Sequence, residues 1–570
     1  MRILLLAQSF NSLTQRVFVE LEARGHEVSV ELDIHDAVTL EAVTLFKPDV
    51  VVAPFLKRAI PETVWRNRLC LIVHPGIRGD RGPSALDWAI LDGRETWGIT
   101  VIEARAEMDA GPVWATAEFP MRRATKSSLY RNEVTEAAAR AVLDALARCE
   151  QGLGPLPAAD ENGVHRLGSW RPLCRQSDRA IDWARDGTAA VLRKIASADG
   201  APGVRDNVLG REVILHDAHP APGLGGPPGA LLATSGPAVA RATVDGAIWI
   251  GRLSDRASAC PFKLPAAAVL GAALAGLPEI ARDTEAGYRE IAYEERAGVG
   301  TLHFSFLNGA MGTDACARLA AAYAHALSRP TKVIVLAGGP DFWSNGMDLN
   351  AIEASRSPAD ESWRNINAID DLAEMIIRTE SHLTVAAMAG NAGAGGVFLA
   401  RAADEVWLRE GVVLSPHYKD MGNLYGSELW TYLLPRHAGE ENARRIMAAR
   451  LPMASAEAVA LGLADLRFGA NVADFLGEAR SRAEALAAAP DWAARLAAKT
   501  RARAAEEARK PLEAYRAEEL ARMHMNFYGF DPSYHVARSN FVRRIPKSRT
   551  PITIARHRDK RLAVLGRNAS

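Results

Sequence analysis

Three stretches of the 570-residue chain carry residue types at spacings that could do chemistry. The first is LCLIVHPGIRGDRGPSALDWAIL (Leu69–Leu91), followed by GITVIEARAEMDAGPVW (Gly98–Trp114). A short apolar run delivers His74 to a strand end, and a glycine-rich loop lets backbone approach a ligand. Asp109 follows 35 residues later, on a turn before Gly111 and Pro112. A histidine with a carboxylate is the pair needed to move a formyl group between nucleophiles: the imidazole exchanges a proton with the attacking or departing nitrogen or sulfur, and the carboxylate orients it or a water. The other two stretches, LAGGPDFWSNGMDLNAIEAS (Leu336–Ser355) and VAAMAGNAGAGGVFLARAADEVWL (Val385–Leu408), each set glycines beside a strand end. Backbone N–H groups in such loops can hold the oxygen of a thioester carbonyl as it gains charge.

Elements that would position these residues follow from pattern. Arg2–Ala7, Asp49–Ala53 and Leu69–Val73 are compact apolar runs suited to buried parallel strands, and His26–Leu32 alternates as another. Ser12–Arg24 has helical spacing, with Leu13, Val17 and Leu21 on one face and Gly25 as its stop. This βαβ alternation predicts an open doubly wound sheet, which binds ligands beyond the carboxyl ends of its strands. A Gly/Pro/Ala-rich boundary falls at Gly152–Asp160. The reading is α/β multidomain: a Rossmann-like domain over 1–155, a small β domain over 156–265, a helical connector over 266–292, a second α/β domain over 293–470, and a helical, basic extension over 471–570. That extension is expected to be helical to Phe527 and irregular beyond it.

Composition excludes several classes. Its 68 basic and 68 acidic side chains cancel, which argues against nucleic acid as the main partner. The five cysteines are scattered with no CxxC or Cys/His cluster, so no metal site and no disulfide framework is expected. No apolar stretch is long enough for a membrane span, and the first residues read as a strand entering a helix, not a signal peptide. A cytoplasmic location is the expectation.

Residues 1 to about 265 resemble the folate-dependent formyltransferases: HPGIRGDRGPSALDWAI is similar to their histidine loop and MDAGPVW to their Asp–x–Gly turn. The stretch Ile181–Val204 (IDWARDGTAAVLRKIASADGAPGV), which contains Ser197, resembles the start of their OB-like second domain. This resemblance implies catalytic roles for His74 and Asp109. It also exposes a departure, because the family's asparagine two residues before the histidine is Ile72 here, and isoleucine cannot donate a hydrogen bond to an oxyanion.

Residues 293–470 resemble the crotonase (enoyl-CoA hydratase/isomerase) superfamily, FWSNGMDL being similar to its FSxGxDL motif and GNAGAGG to its NGxAxGGG motif. The resemblance implies oxyanion-hole N–H groups at Met347 and Gly395. The family's two glutamates fall at Phe398 and Tyr418, so ordinary hydration is disfavoured for want of a paired acid and base. Tyr418 carries a phenol able to relay a proton, Tyr425 and Glu428 lie nearby in sequence, His417 is a weaker candidate, and Phe398 would exclude water.

The two halves together, with SPHYKDMGNLYGSELWTYLLP and the Arg-rich tail containing NFVRRIPKSRTP, resemble the HypX (HoxX) family of nickel–iron hydrogenase maturation proteins. That resemblance implies formyl transfer from 10-formyltetrahydrofolate to coenzyme A, then decarbonylation of formyl-CoA to CO, with hydrogenase maturation proteins as possible partners. Gln15, Arg131, Ser197, Arg543 and the neighbouring Arg544 are candidates for holding the phosphates and polar groups of these substrates, and the pantetheine arm could serve both pockets if they share a cavity. Two other readings compete: a conventional formyltransferase fused to an acyl-CoA isomerase or hydrolase, and a non-catalytic folate- and CoA-binding assembly scaffold.

Overall fold

A computed structural model describes residues 1–157 and 168–559. Part of the boundary stretch Gly152–Asp160 (158–160) lies outside the described residues, as do Lys560 and Arg561 of the tail. The chain divides into two compact units, one of Met1–Tyr288 with the segment from Pro546 onward, the other of Arg289–Ile545.

The first unit opens with β1 (Arg2–Ala7), β2 (Glu27–Leu32), β3 (Val50–Ala53), β4 (Leu69–His74), β5 (Thr96–Glu103) and β6 (Val113–Pro120) in the order β2-β1-β3-β4-β5-β6. β1 to β4 run parallel, and β5 and β6 are antiparallel. Every residue of β3 and all but the first of β1 are buried, as central parallel strands covered on both faces require. Helix Ser12–Ala23 is capped by Asn11, whose side chain accepts the Thr14 N–H at 3.0 Å.

A second, antiparallel sheet follows in the order β7-β8-β11-β10-β9, built from β7 (Val204–Val208), β8 (Arg211–Pro220), β9 (Leu231–Ser235), β10 (Ala238–Ala242) and β11 (Ala247–Asp255), with β12 (Leu264–Pro265) on β11. The expected helical connector over 266–292 is corrected here. Only Ala266–Leu270 is α-helical, followed by a 3₁₀ turn over Gly271–Leu274. Ala266, Leu270 and Leu274 pack into the core of the β sheet. Beyond them the Trp249 indole N–H donates to Ala286 O at 2.9 Å and the Tyr288 N–H to Ser235 Oγ at 3.1 Å. The alanine run favours helix, but Gly271 and Gly276 at positive φ and Pro278 end it within two turns.

The tail is corrected as well. Its last described stretch covers the exposed edge of β2: Val30 N–H donates to Ile554 O at 2.9 Å and Leu32 N–H to Thr550 Oγ1 at 2.9 Å. Glu31, fully buried on β2, receives His557 Nε2 at 2.9 Å and Arg558 Nη2 at 2.8 Å. Arg558 of the tail is thus an ion-pair partner of a buried carboxylate.

In the second unit β13 (Ile291–Arg296), β14 (Val299–Phe304), β15 (Val333–Gly338), β17 (Leu383–Met388), β19 (Glu405–Arg409) and β22 (Leu466–Phe468) form one sheet in that order, parallel except for β13. A smaller sheet has the order β16-β18-β20-β21, from β16 (Phe342–Ser344), β18 (Asn391–Gly393), β20 (Val413–Ser415) and β21 (Met453–Ala454). The helices after residue 471 complete this unit: Leu512, Met523, Phe527 and Tyr534 share one core with Ile369, Phe398 and Tyr418. Ser533–Val542, expected to be irregular, is a helix seated by Tyr534, whose hydroxyl lies 2.7 Å from Ser362 Oγ. Among the described residues no helix is long and apolar enough to cross a membrane.

Candidate functional sites

The first site is assembled at the carboxyl end of β4. His74 is its last residue and is buried to 5% exposure. Its Nε2 lies 3.0 Å from Asp80 Oδ2, and its Nδ1 lies 3.7 Å from Asp109 Oδ1. The imidazole is therefore flanked by two carboxylates, of which Asp80, inside the same loop, went unnoticed in the sequence. The loop reaches that geometry through Gly76, where a Cβ would sit 2.5 Å from His74 Nε2 and 2.6 Å from Asp80 Oδ2. The Gly76 carbonyl is pinned by the Thr100 hydroxyl at 2.8 Å, and the Pro75 carbonyl by the Trp97 indole at 2.9 Å. Asp109 takes a left-handed φ of 55° and accepts the Gly82 N–H at 3.1 Å, which ties the second motif to the first. Ile72, two residues before His74 and so on the same strand face, packs against the apolar cluster of Leu4, Leu6, Val51 and Ala53 and supplies no donor.

The candidates for phosphate and polar contacts fare differently. Gln15, half-buried in the first helical turn, donates its side-chain amide to Phe10 O at 2.9 Å. Arg131 is half-buried in the irregular turn Tyr130–Val134 that leads into helix Thr135–Glu150. Ser197 is fully buried and its hydroxyl donates to Lys194 O at 2.8 Å, so its side chain closes the end of helix Thr188–Ala196. Arg543, in the second unit, pairs with Glu353 at 3.3 Å, beside the tighter Arg538–Glu353 pair at 2.9 Å.

The second site forms where the two glycine motifs meet. Gly346, at φ 75°, turns the chain after β16, and a Cβ there would lie 3.8 Å from the Gly395 nitrogen. Gly395 opens helix Gly395–Arg401, so its N–H is among the first four that lack an intrahelical acceptor. Met347 is steadied from behind: Asp348 caps helix Leu349–Ala354 by accepting the Asn350 and Ala351 N–H groups at 3.0 and 3.1 Å, and donates its own N–H to Asn365 Oδ1 at 3.1 Å. A Cβ at Gly396 would overlap the Ser344 backbone, so that glycine is required by close approach, and Gly346 by its left-handed φ.

Over Gly395 stands a group not assigned from the sequence. A Cβ at position 395 would overlap the Glu428 carboxyl, which is buried to 1% exposure. The family's two glutamate positions hold Phe398 and Tyr418, as the sequence indicates, and the carboxyl at this site is Glu428 instead. Glu428 comes from beyond the counted position and reaches in because it and Leu429 both adopt left-handed φ, 62° and 59°. Tyr418 Oη lies 2.7 Å from Glu428 Oε2 and 2.9 Å from Ser427 O. Phe398, fully buried, stacks on the Tyr418 ring at 5.8 Å, and Gly426 is needed because a Cβ there would strike that ring. Tyr425 is half-buried against Trp430 at 5.5 Å, and the Trp430 indole N–H has no acceptor among the described residues.

Two more buried carboxyls back the site, Asp370 and Glu519, from helices Pro358–Ile377 and Leu512–Tyr528. Burial pushes Asp370 up to about 7, and burial with the neighbouring Asp370 pushes Glu428 and Glu519 each up to about 8. Tyr418 is raised well above its ordinary value by burial and by the Glu428 carboxyl, and Tyr425 is raised by burial. A neutral phenol beside a proton-bearing carboxyl is an arrangement that passes protons and does not hold charge.

Comparison with known proteins agrees with this anatomy. The Formyl transferase family model matches residues 15–146 and the Enoyl-CoA hydratase/isomerase model residues 308–529. A hydrogenase maturation factor HoxX from Bradyrhizobium diazoefficiens is 58% identical over 561 residues, covering 98% of each chain. Among solved structures, HypX from Aquifex aeolicus in complex with tetrahydrofolic acid is 50% identical with a TM-score of 0.94, covering 98% of this chain and 99% of that one. A substituted variant of the same protein gives 49% identity and a TM-score of 0.93 over the same shares. Formyltransferase-like and crotonase-like halves, joined with a helical C-terminal region at this similarity, place the chain in the HypX/HoxX family of hydrogenase maturation factors.

Proposed function

We propose that the chain moves a formyl group from 10-formyltetrahydrofolate to the thiol of coenzyme A at the first site, and decarbonylates formyl-CoA to CO and CoA at the second, supplying the CO ligand of a nickel–iron hydrogenase. The carrying observation is Glu428: one carboxyl, with Tyr418, stands over Gly395 in place of the glutamate pair that a hydratase needs to add water.

At the first site His74 accepts the proton of the CoA thiol as sulfur attacks the formyl carbon, and returns it to the folate nitrogen as the C–N bond breaks. Asp80 and Asp109 stabilise the imidazolium formed in between. At the second site the Met347 and Gly395 N–H groups hold the formyl oxygen. The C–S bond breaks as sulfur takes a proton from the Glu428 carboxyl through the Tyr418 hydroxyl. The formyl C–H proton then passes to the carboxylate just formed, leaving CO, CoA thiol and a restored Glu428. Phe398, Tyr425 and Trp430 form the apolar wall that keeps water from turning formyl-CoA into formate. Tetrahydrofolic acid bound to the HypX of Aquifex aeolicus supports the choice of donor. Gln15, Arg131 and Arg543 are assigned to substrate contacts.

The test is incubation of purified protein with 10-formyltetrahydrofolate and CoA, with a haemoprotein trap reading CO in the gas phase. CO release dependent on both substrates is the expected result. Formate without CO would retain the transferase and remove the decarbonylase, and no CoA-dependent loss of formylfolate would remove both.

A further inference from the structure

The reaction proposed for the second site leaves two buried groups without a task, Asp370 and Glu519. Neither reaches Gly395. Each instead accepts hydrogen bonds from the turn that carries Glu428. Asp370 Oδ1 accepts the Glu428 N–H at 2.8 Å and Oδ2 the Ser427 hydroxyl at 2.7 Å. Glu519 Oε2 accepts the Leu429 N–H at 2.9 Å, and Oε1 accepts the Thr431 N–H at 2.7 Å and the Thr431 hydroxyl at 2.5 Å. The clamped residues include Glu428 and Leu429, whose left-handed φ is costly for side chains of that size and persists only where surrounding structure imposes it.

Hydrogen-bond bookkeeping then locates the proton. Glu519 is contacted by four donor groups and Asp370 by two, the Ser427 hydroxyl being shared between Asp370 Oδ2 at 2.7 Å and Glu519 Oε2 at 3.2 Å, so every oxygen of both carboxyls is tied to the turn. Glu428 has the Tyr418 hydroxyl at 2.7 Å and a long contact from the Ser427 N–H at 3.3 Å, both on Oε2, while Oε1 faces Gly395. Tyr418 has one hydroxyl proton and two oxygens within reach, Glu428 Oε2 and Ser427 O, and a carbonyl oxygen cannot donate. Both contacts are satisfied together when Glu428 carries a proton and donates it to Tyr418 Oη while Tyr418 donates to Ser427 O. Other charges and titratable groups around Glu428 do not offset this. Cys316 approaches from helix Thr313–Leu327 as a buried thiol, and Arg516, the cation near Asp370, is engaged by Asp371 at 2.6 Å and Glu374 at 3.0 Å.

We infer that Asp370 and Glu519 are positioning residues that fix the strained 427–431 turn by accepting its N–H and hydroxyl groups, and so hold the Glu428 carboxyl in its proton-bearing form over Gly395. Resting on the decarbonylase reading, this explains how a carboxyl serves as the acid at neutral pH: carboxyls buried side by side oppose one another's ionisation. The burial that raises all three carboxyls acts in the same direction.

The test uses the full-length protein and the variants Asp370→Asn, Glu519→Gln and Glu428→Gln, each near-isosteric. Infrared spectra across a pH series read the carbonyl stretch of a protonated carboxyl, and CO release from supplied formyl-CoA is followed over the same series. In the unsubstituted protein protonated-carboxyl absorption should persist at neutral pH, and its Glu428 component should be missing in Glu428→Gln. In Asp370→Asn its loss on raising pH should move down by about one pH unit or more, with a smaller move in Glu519→Gln, since removing a like charge lowers the carboxyl's pKa. The high-pH limb of CO release should move with it. A protonated-carboxyl spectrum unchanged by Glu428→Gln, or a midpoint unmoved in both other variants, overturns the inference. A band that behaves as stated in a protein releasing no CO would sink the decarbonylase and leave the carboxyl assignment standing. Should Asp370→Asn unfold, Glu519→Gln, acting from a different helix, decides alone.

Discussion

The two candidate sites handle charge in opposite ways. At the first, an imidazole lies between two carboxylates, Asp80 and Asp109, so the protonated histidine that formyl transfer creates is met by charge of the opposite sign. At the second, three carboxyls are buried together behind a phenol, and Arg516, the cation acting on Asp370, is engaged by Asp371 and Glu374. Burial of like charge favours the neutral form, whereas opposite charge favours the ionised one. In the proposed reaction sequence, one site would accept a proton from a thiol and the other give one to a thiolate. The contrast suits two consecutive steps in which the same sulfur first loses and then regains a proton.

The largest effects should come from breaking one side of the contrast while sparing the other. Glu428→Gln and Tyr418→Phe should each lower CO release from formyl-CoA by roughly 10²–10⁴, the usual weight of a general acid, with formyl-CoA formation unchanged. His74→Ala should do the reverse: formyl-CoA formation falls by a similar factor, while CO release from supplied formyl-CoA stays as it was. Chromatographic measurement of formyl-CoA beside the gas-phase CO assay separates the two. Loss of both activities in either variant would dissolve the division of labour.

A finer break concerns which carboxylate serves His74. Asp80 is the closer partner at 3.0 Å and Asp109 is at 3.7 Å on the other ring nitrogen. Asp80→Asn should reduce transfer by about tenfold or more through loss of imidazolium stabilisation, and Asp109→Asn should add a loss of loop position, because its carboxylate also holds the Gly82 N–H. Steady-state rates in formylfolate and CoA measure both. Gly76→Ala should sit between them, since its methyl would press on both His74 and Asp80.

Legibility in the sequence followed locality. His74 and Asp109 were readable because each lies in a short motif whose glycines and prolines dictate the turn, and the strands β1 to β4 because buried parallel strands are continuous apolar runs. Phe398 and Tyr418, counted from the glycine pair and from Asp404, stack on each other. Glu428 was visible only as a neighbour in sequence. Its arrival over Gly395 depends on two consecutive left-handed residues, and neither Glu428 nor Leu429 is a type that signals such a turn. Asp370 and Glu519 sit mid-helix, 58 and 91 residues from Glu428, where a carboxylate ordinarily reads as solvated surface. The partners of two tail arginines were hidden for a related reason: Arg538 pairs with Glu353 and Arg558 with the buried Glu31, and only tertiary contact reveals such acceptors.

The smallest predicted effect is on stability. Glu428 and Glu519 have native values pushed up to about 8 from the ordinary carboxylate range. In the window between that range and about 8 the native state binds more protons than the unfolded chain, so stability falls as pH rises through it and levels off above. Carboxylates held low by cations act the other way: Glu374, beside Arg378 and Arg516, is stabilising at neutral pH and loses that contribution only as pH falls through its depressed value. Ligand-free protein should therefore show a Tm that declines by a few degrees from mildly acidic to mildly alkaline pH, and Glu519→Gln should flatten that decline. The decline should track unfolding of the Arg289–Ile545 unit, which holds all three carboxyls, and leave the unit containing His74 unaffected. Calorimetry over a pH series resolves the two transitions. A pH-independent second transition would mean that the carboxyls behind Glu428 are solvated in solution, and the electrostatic contrast between the sites would then rest on His74 alone.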